Sequence, residues 1–74
     1  MRRIERIYEL DVLVEAKRQI DSILHKLRET VKTFEAKENT EKYKSQITLA
    51  KRRIKALRIA VELIKTEIQN NKAN

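Results

Sequence analysis

The residues of this sequence that are best suited to chemistry are basic. Seven basic side chains and no acidic one lie between Lys42 and Val61. Residues seven apart share one face of an α-helix, so a basic ridge about 30 Å long is expected on the second half of the chain. The ridge has four members at this spacing: Lys44, Lys51, Arg58 and Lys65.

Such a ridge is typical of proteins that follow the phosphates of DNA or RNA, with counterion release as the driving force. Arg52, Arg53 and Lys55 widen its middle. No helix-turn-helix, zinc finger or basic zipper accompanies it, so little reading of base sequence is expected. The predicted nucleic-acid contacts are Lys51, Arg52, Arg53, Lys55 and Arg58.

Two other interpretations of the ridge stay open. In the first, the ridge is a docking surface for an acidic protein or a membrane. In the second, it is a solvated flank whose charge is partly neutralised by side chains of the first helix. In an antiparallel hairpin the ridge would face the first half of the chain. The expected pairings are Glu35 with Lys44, Arg28 with Lys51, Asp21 with Arg58, and Val14 with Lys65.

Signs of catalysis or metal binding are missing from the sequence. There is no Cys, and the single His25 cannot build a zinc site alone. The carboxylates Asp11 and Glu15 lie on an open helix surface, without the burial that tunes an acid or base. There is no Gly-rich phosphate loop and no nucleophile elbow. We therefore expect no enzyme activity, no metal and no cofactor.

The composition predicts an all-α protein. The 74 residues include no Gly and no Pro, whereas Ala, Glu, Lys, Leu and Arg together supply 40. The net charge is +7 and the pI is about 10.0. No transmembrane segment or signal peptide is expected, which favours a cytoplasmic location. The Ile, Lys and Asn usage is typical of an AT-rich source genome, such as that of a virus or a plasmid.

Two heptad seams place the helices in a single domain, residues 1–74. We predict helix 1 over about 3–37, a turn at about 38–40, and helix 2 over about 41–70. The seam of helix 1 consists of Leu10, Leu13, Lys17, Ile20, Leu24, Leu27, Val31 and Phe34. The seam of helix 2 consists of Tyr43, Ile47, Ala50, Ile54, Leu57, Val61, Ile64 and Ile68.

The spacing between the seams predicts a break instead of one long helix. Phe34 and Tyr43 both occupy heptad position d, but nine residues separate them, where a continuous heptad needs seven or fourteen. A turn near Asn39 and Thr40, residues suited to helix ends, lets the seams face each other. The short connection predicts an antiparallel, coiled-coil-like two-helix hairpin.

Lys17 is the one polar residue on the first seam, at heptad position a. We interpret it as a side chain whose stem covers apolar surface while its charge reaches water. The alternatives are an ion pair with Asp21 one turn later, or with Glu62 across the hairpin.

Both helices carry more apolar residues than one seam can cover. A stripe this broad is typical of a bundle, so a homodimeric four-helix bundle is the simplest closed arrangement. Association with helices of another protein is the alternative. The predicted oligomer interface consists of Ile7, Val14, Ile23, Leu49, Ala56, Ala60 and Leu63.

These patterns predict a small basic oligomer that binds DNA or RNA in a regulatory or accessory role. The alternative function is a protein-interaction module, an adaptor or inhibitor that acts through a helix face. Ile59, opposite the seam of helix 2, is expected to be exposed in a simple hairpin.

Overall fold

A computed structural model of the chain describes residues 8–38 and 40–73. Helix α1 spans Leu10–Glu35 and helix α2 spans Lys44–Ala73, with a short 3₁₀ helix, Thr40–Tyr43, ahead of α2. The two long helices pack against each other as an antiparallel hairpin, and the described residues contain no strand. The predicted all-helical hairpin is confirmed.

Helix α1 is shorter than predicted at both ends. Glu9 is extended, with φ −70° and ψ 158°, and its carbonyl accepts the first helical hydrogen bond, from the Leu13 N–H at 3.1 Å. The predicted start near residue 3 lies outside the described residues, but a helix through residues 8 and 9 is wrong. At the other end α1 stops at Glu35, where the Ala36 N–H donates to the Lys32 carbonyl.

The start of the second helix is also corrected. The ring of Tyr43 stacks on that of Phe34 with centroids 4.8 Å apart, and the ammonium groups of Lys37 and Lys42 lie 5.7 and 5.8 Å from the centroid of Tyr43. We attribute the tight 3₁₀ winding of Thr40–Tyr43 to this stack, because it holds Tyr43 over the end of α1. The α-helix therefore begins at Lys44, three residues later than predicted, and it runs to Ala73. The predicted turn residue Asn39 lies outside the described residues.

The two heptad seams form the contact between the helices. Six seam residues are buried, with 4–8% of their surface exposed, and most of the rest are half-buried. The buried residues are Leu13, Leu24, Val31, Ala50, Val61 and Ile68. The molecule measures 54 × 25 × 15 Å, and the two described helices form a single layer with one row of core residues.

Lys17 combines two of its predicted roles. Lys17 is half-buried on the seam, and its Nζ donates a hydrogen bond to Asp21 Oδ2 at 2.8 Å. The pair with Asp21 is therefore confirmed, and no pair with Glu62 forms among the described residues. The stem contributes apolar cover while the charge is kept at the edge of the core.

Leu24 tests whether the seam carries the stability. Leu24 is 4% exposed, so Leu24→Ala should cost about 2–5 kcal/mol of unfolding free energy through reduced burial and a cavity. The matched control is Ile59→Ala, because Ile59 is 54% exposed and its truncation should change stability by less than about 0.5 kcal/mol. Thermal unfolding followed by circular dichroism compares the two variants. Equal losses of stability would contradict this assignment of the core.

Replacing Lys17 by Leu should raise the melting temperature. The change removes a charge from the seam and adds apolar volume there, whereas an exposed ion pair contributes only about 0–1 kcal/mol. Asp21→Asn is the control, because it breaks the same pair and leaves the seam unchanged. A large fall in melting temperature for Lys17→Leu would show instead that the ion pair sets the packing of the helices.

Candidate nucleic-acid interface

Charge is divided unequally between the two helices. Helix α1 carries five basic and five acidic residues, whereas α2 carries eight basic and two acidic ones. Four of the five α1 carboxylates form ion pairs, three of them within α1 and one across the hairpin. These pairs are Glu15 with Arg18, Asp21 with Lys17, Glu29 with Lys32, and Glu35 with Lys51.

Glu15 shows how α1 neutralises its own charge. Its carboxylate accepts hydrogen bonds from Arg18 at 2.8 and 3.0 Å and from Gln19 at 2.7 Å. The Arg18 hydrogen bonds, followed by that of Gln19, lower the pKa of Glu15, and the same interaction raises the pKa of Arg18. The cations of α1 are thus largely committed to neighbouring carboxylates.

The cations of α2 are free in comparison. We call the set Lys44, Lys51, Arg52, Lys55 and Arg58 the basic surface. All five side chains are exposed, and at 100° per residue they lie within about a third of the helix circumference along some 20 Å. Within residues 8–38 and 40–73, only Lys51 has a carboxylate in ion-pair range. The basic surface therefore has four cations whose charge the described carboxylates do not neutralise.

The cross-hairpin pairs differ from the predicted ones. Lys51 Nζ lies 3.0 Å from Glu35 Oε2, so the predicted pair of Glu35 with Lys44 is wrong. A flexible lysine can lean along the hairpin away from a like charge toward a carboxylate, which the simple face-to-face register ignores. Asp21 binds Lys17 one turn away on its own helix, which leaves Arg58 without the predicted partner.

Arg53 does not belong to the basic surface. One residue along a helix is a rotation of 100°, so Arg53 points away from its neighbour Arg52 and toward the opposite flank of the hairpin. The Lys51–Glu35 pair marks the first flank, which holds heptad positions e. Arg53 occupies position g, on the flank that also carries Ile23 and Ala60. Four of the five predicted contacts therefore share a surface.

The flank that carries Arg53 is also the more apolar one. We call its apolar residues the apolar flank: Val12, Ala16 and Ile23 of α1 with Leu49, Ala56, Ala60 and Leu63 of α2. Ile23 is 48%, Leu49 47% and Leu63 67% exposed, which is high for side chains of this size. Packing of another molecule against this flank would bury these side chains and enlarge the apolar core.

The predicted interface residues do not all lie on this flank. Ile23, Leu49, Ala56, Ala60 and Leu63 do. Val14 lies on the opposite flank, in a recess that it lines with Lys17, Glu62 and Lys65, and Ile7 lies outside the described residues. The interface prediction omitted Val12 and Ala16, although their heptad positions c and g would have placed them beside Ile23.

Ile59 lies on the outer side of α2, opposite the seam, and is 54% exposed as predicted for a simple hairpin. Together with Leu63 it lines a shallow groove whose other walls are Lys55, Arg58 and Glu62. The edge of this apolar groove thus carries two cations and one carboxylate.

No protein-family model matches the chain, and searches of curated proteins and of solved structures likewise find no match. The described side chains include no group of three or more His, Asp or Glu placed to hold a metal ion. None of the described helices is both long and apolar enough to cross a membrane.

Proposed function

We propose that the protein is a homodimeric four-helix bundle that binds DNA or RNA through phosphate contacts and acts as a small regulator or accessory factor in the cytoplasm. The observation that carries the proposal is the basic surface of α2, whose cations lack carboxylate partners within the described residues apart from Lys51. Arg52, Lys55 and Arg58 are the proposed principal contacts. Their role is charge neutralisation and positioning, with little contribution to base readout.

The thinness of the hairpin supports dimerisation. Domains are normally built from at least two packed layers, and residues 8–38 and 40–73 form one. Its accessible surface is 6441 Å², against roughly 4,800 Å² for a compact protein of 8.8 kDa. Fully burying a Val, Leu or Ile side chain contributes about 1.5–3 kcal/mol, so the half-exposed residues of the apolar flank leave much of that stabilisation unrealised. A second copy would supply the missing layer.

The arrangement of cations and aromatic rings favours phosphate contacts over base stacking. Stacking platforms need several exposed rings, but Phe34 and Tyr43 are half-buried and stacked on each other. Tyr8 alone among the described aromatic residues is exposed. A dimer would double the net charge of +7 and present two basic surfaces to the same polyanion.

A second candidate function rests on the groove between Ile59 and Leu63. Under this alternative the protein is an adaptor or inhibitor whose outer α2 face holds an acidic amphipathic segment of another protein. Substitution of Ile59 and Leu63 by Ser would then remove partner binding, and the unmodified protein would show no affinity for DNA or RNA even at low salt.

Ile23 and Val14 form a matched pair for testing the dimer. Their exposed fractions in the single hairpin are nearly equal, 48% and 49%, but they lie on opposite flanks. Ile23→Glu should lower the molar mass measured by light scattering to that of one chain, or unfold the protein, because it places a carboxylate in the apolar flank. Val14→Glu introduces the same charge beside Lys17 and Lys65 and should leave the mass of a dimer unchanged. Identical behaviour of the two variants would contradict burial of the apolar flank.

The basic surface is tested by charge reversal. Arg52→Glu combined with Lys55→Glu should abolish micromolar binding to a labelled DNA duplex or RNA hairpin. It should also lower the salt dependence of log K by about one for each phosphate that the variant no longer neutralises. The control combines Arg18→Glu with Lys32→Glu on α1, which changes the net charge by the same amount. If both double variants bound nucleic acid equally weakly, the result would contradict a binding site confined to the basic surface of α2. Absence of binding by the unmodified dimer would overturn the nucleic-acid proposal.

A further inference from the structure

The side chains at heptad position g of α2 follow a symmetric charge pattern. Arg53, Ala60 and Glu67 occur at seven-residue spacing, so a cation and a carboxylate lie about 10 Å on either side of a half-buried Ala. Neither Arg53 nor Glu67 forms an ion pair within the described residues. All three residues lie along the apolar flank. In a reversed copy of the helix the cation and the carboxylate exchange places, so the charges of two oppositely directed copies are complementary.

Helix α2 can be superposed on a reversed copy of itself about Ala60. Rotation by 180° about an axis through Ala60, perpendicular to the helix, brings Arg53 opposite the partner's Glu67. By symmetry the partner's Arg53 then lies opposite Glu67, so one axis creates two ion pairs. The small side chain of Ala60 lets the two helices approach closely where they cross.

The other face-to-face arrangement fits less well. If the two hairpins pointed in the same direction, α2 would pack against the partner's α1. The two α2 helices would then no longer face each other, so the reciprocal pairing of Arg53 with Glu67 would be lost.

We propose that a second copy of this chain covers the apolar flank with its hairpin reversed, on a twofold axis through Ala60. The inference rests on the self-association in the proposed function and deepens it by naming the geometry. It assigns Arg53 to the dimer contact instead of the nucleic-acid contacts. It also brings the two α2 helices side by side, so that both basic surfaces border the same side of the bundle.

A cysteine at the axis tests the geometry. The chain contains no Cys, so Ala60→Cys introduces one thiol per copy. The thiol should meet its own copy and give a covalent dimer on mild oxidation or with a short bis-maleimide. Thr48→Cys, on an exposed part of the same helix, is the control and should remain monomeric on a denaturing gel.

Charge exchange gives a second, independent readout. Arg53→Glu and Glu67→Arg should each raise the dimer dissociation constant about tenfold, because each change sets like charges opposite each other twice. The combined variant Arg53→Glu, Glu67→Arg should return it to the original value. A dimeric mass without crosslinking at residue 60 and without this rescue overturns the axis and leaves the self-association intact. A monomeric mass for the unmodified protein overturns both.

Discussion

A pair of helices has only one shared seam, and everything else in this molecule depends on that constraint. The seam buries Leu13, Leu24 and Val31 of α1 against Ala50, Val61 and Ile68 of α2, and no third element among the described residues covers what remains. A layer 15 Å thick therefore leaves two flanks and two outer faces in contact with solvent. These surfaces differ in composition: one flank is charged, the other is largely apolar, and the outer side of α2 combines cations with Ile59.

The ion pairs of α1 give the basic surface of α2 its significance. Helix α1 carries five basic and five acidic residues and therefore no net charge, and its Arg18, Lys17 and Lys32 bind carboxylates on the same helix. The excess is concentrated on α2, where Glu35 reaches only Lys51. A polyanion would therefore meet a localised stripe instead of a uniformly basic protein. Burial of the apolar flank by a second copy would place two such stripes on one assembly, so the stability and the binding proposed here have a common origin.

Much of the fold could be predicted from the sequence, because apolar periodicity reports directly on burial. The offset of nine residues between Phe34 and Tyr43 was sufficient to predict a turn. The α-helix starts three residues later than predicted, after a 3₁₀ turn whose last residue, Tyr43, stacks on Phe34, a tertiary contact with no periodic signal. In the candidate site, adjacency in sequence groups Arg53 with Arg52, although the 100° rotation per helical residue places them on different sides of α2. The partner of Lys51 depends on side-chain rotamers, which heptad positions do not determine.

Stabilisation of the hairpin by a second copy of itself is tested most directly by the concentration dependence of thermal unfolding. If folding and association are coupled, the melting temperature must rise with protein concentration by mass action. For two chains of this length, with an unfolding enthalpy of about 0.7 kcal/mol per residue, a hundredfold increase in concentration should raise it by roughly 10 °C. A melting temperature that does not change over that range, together with the mass of a single chain, would contradict the account.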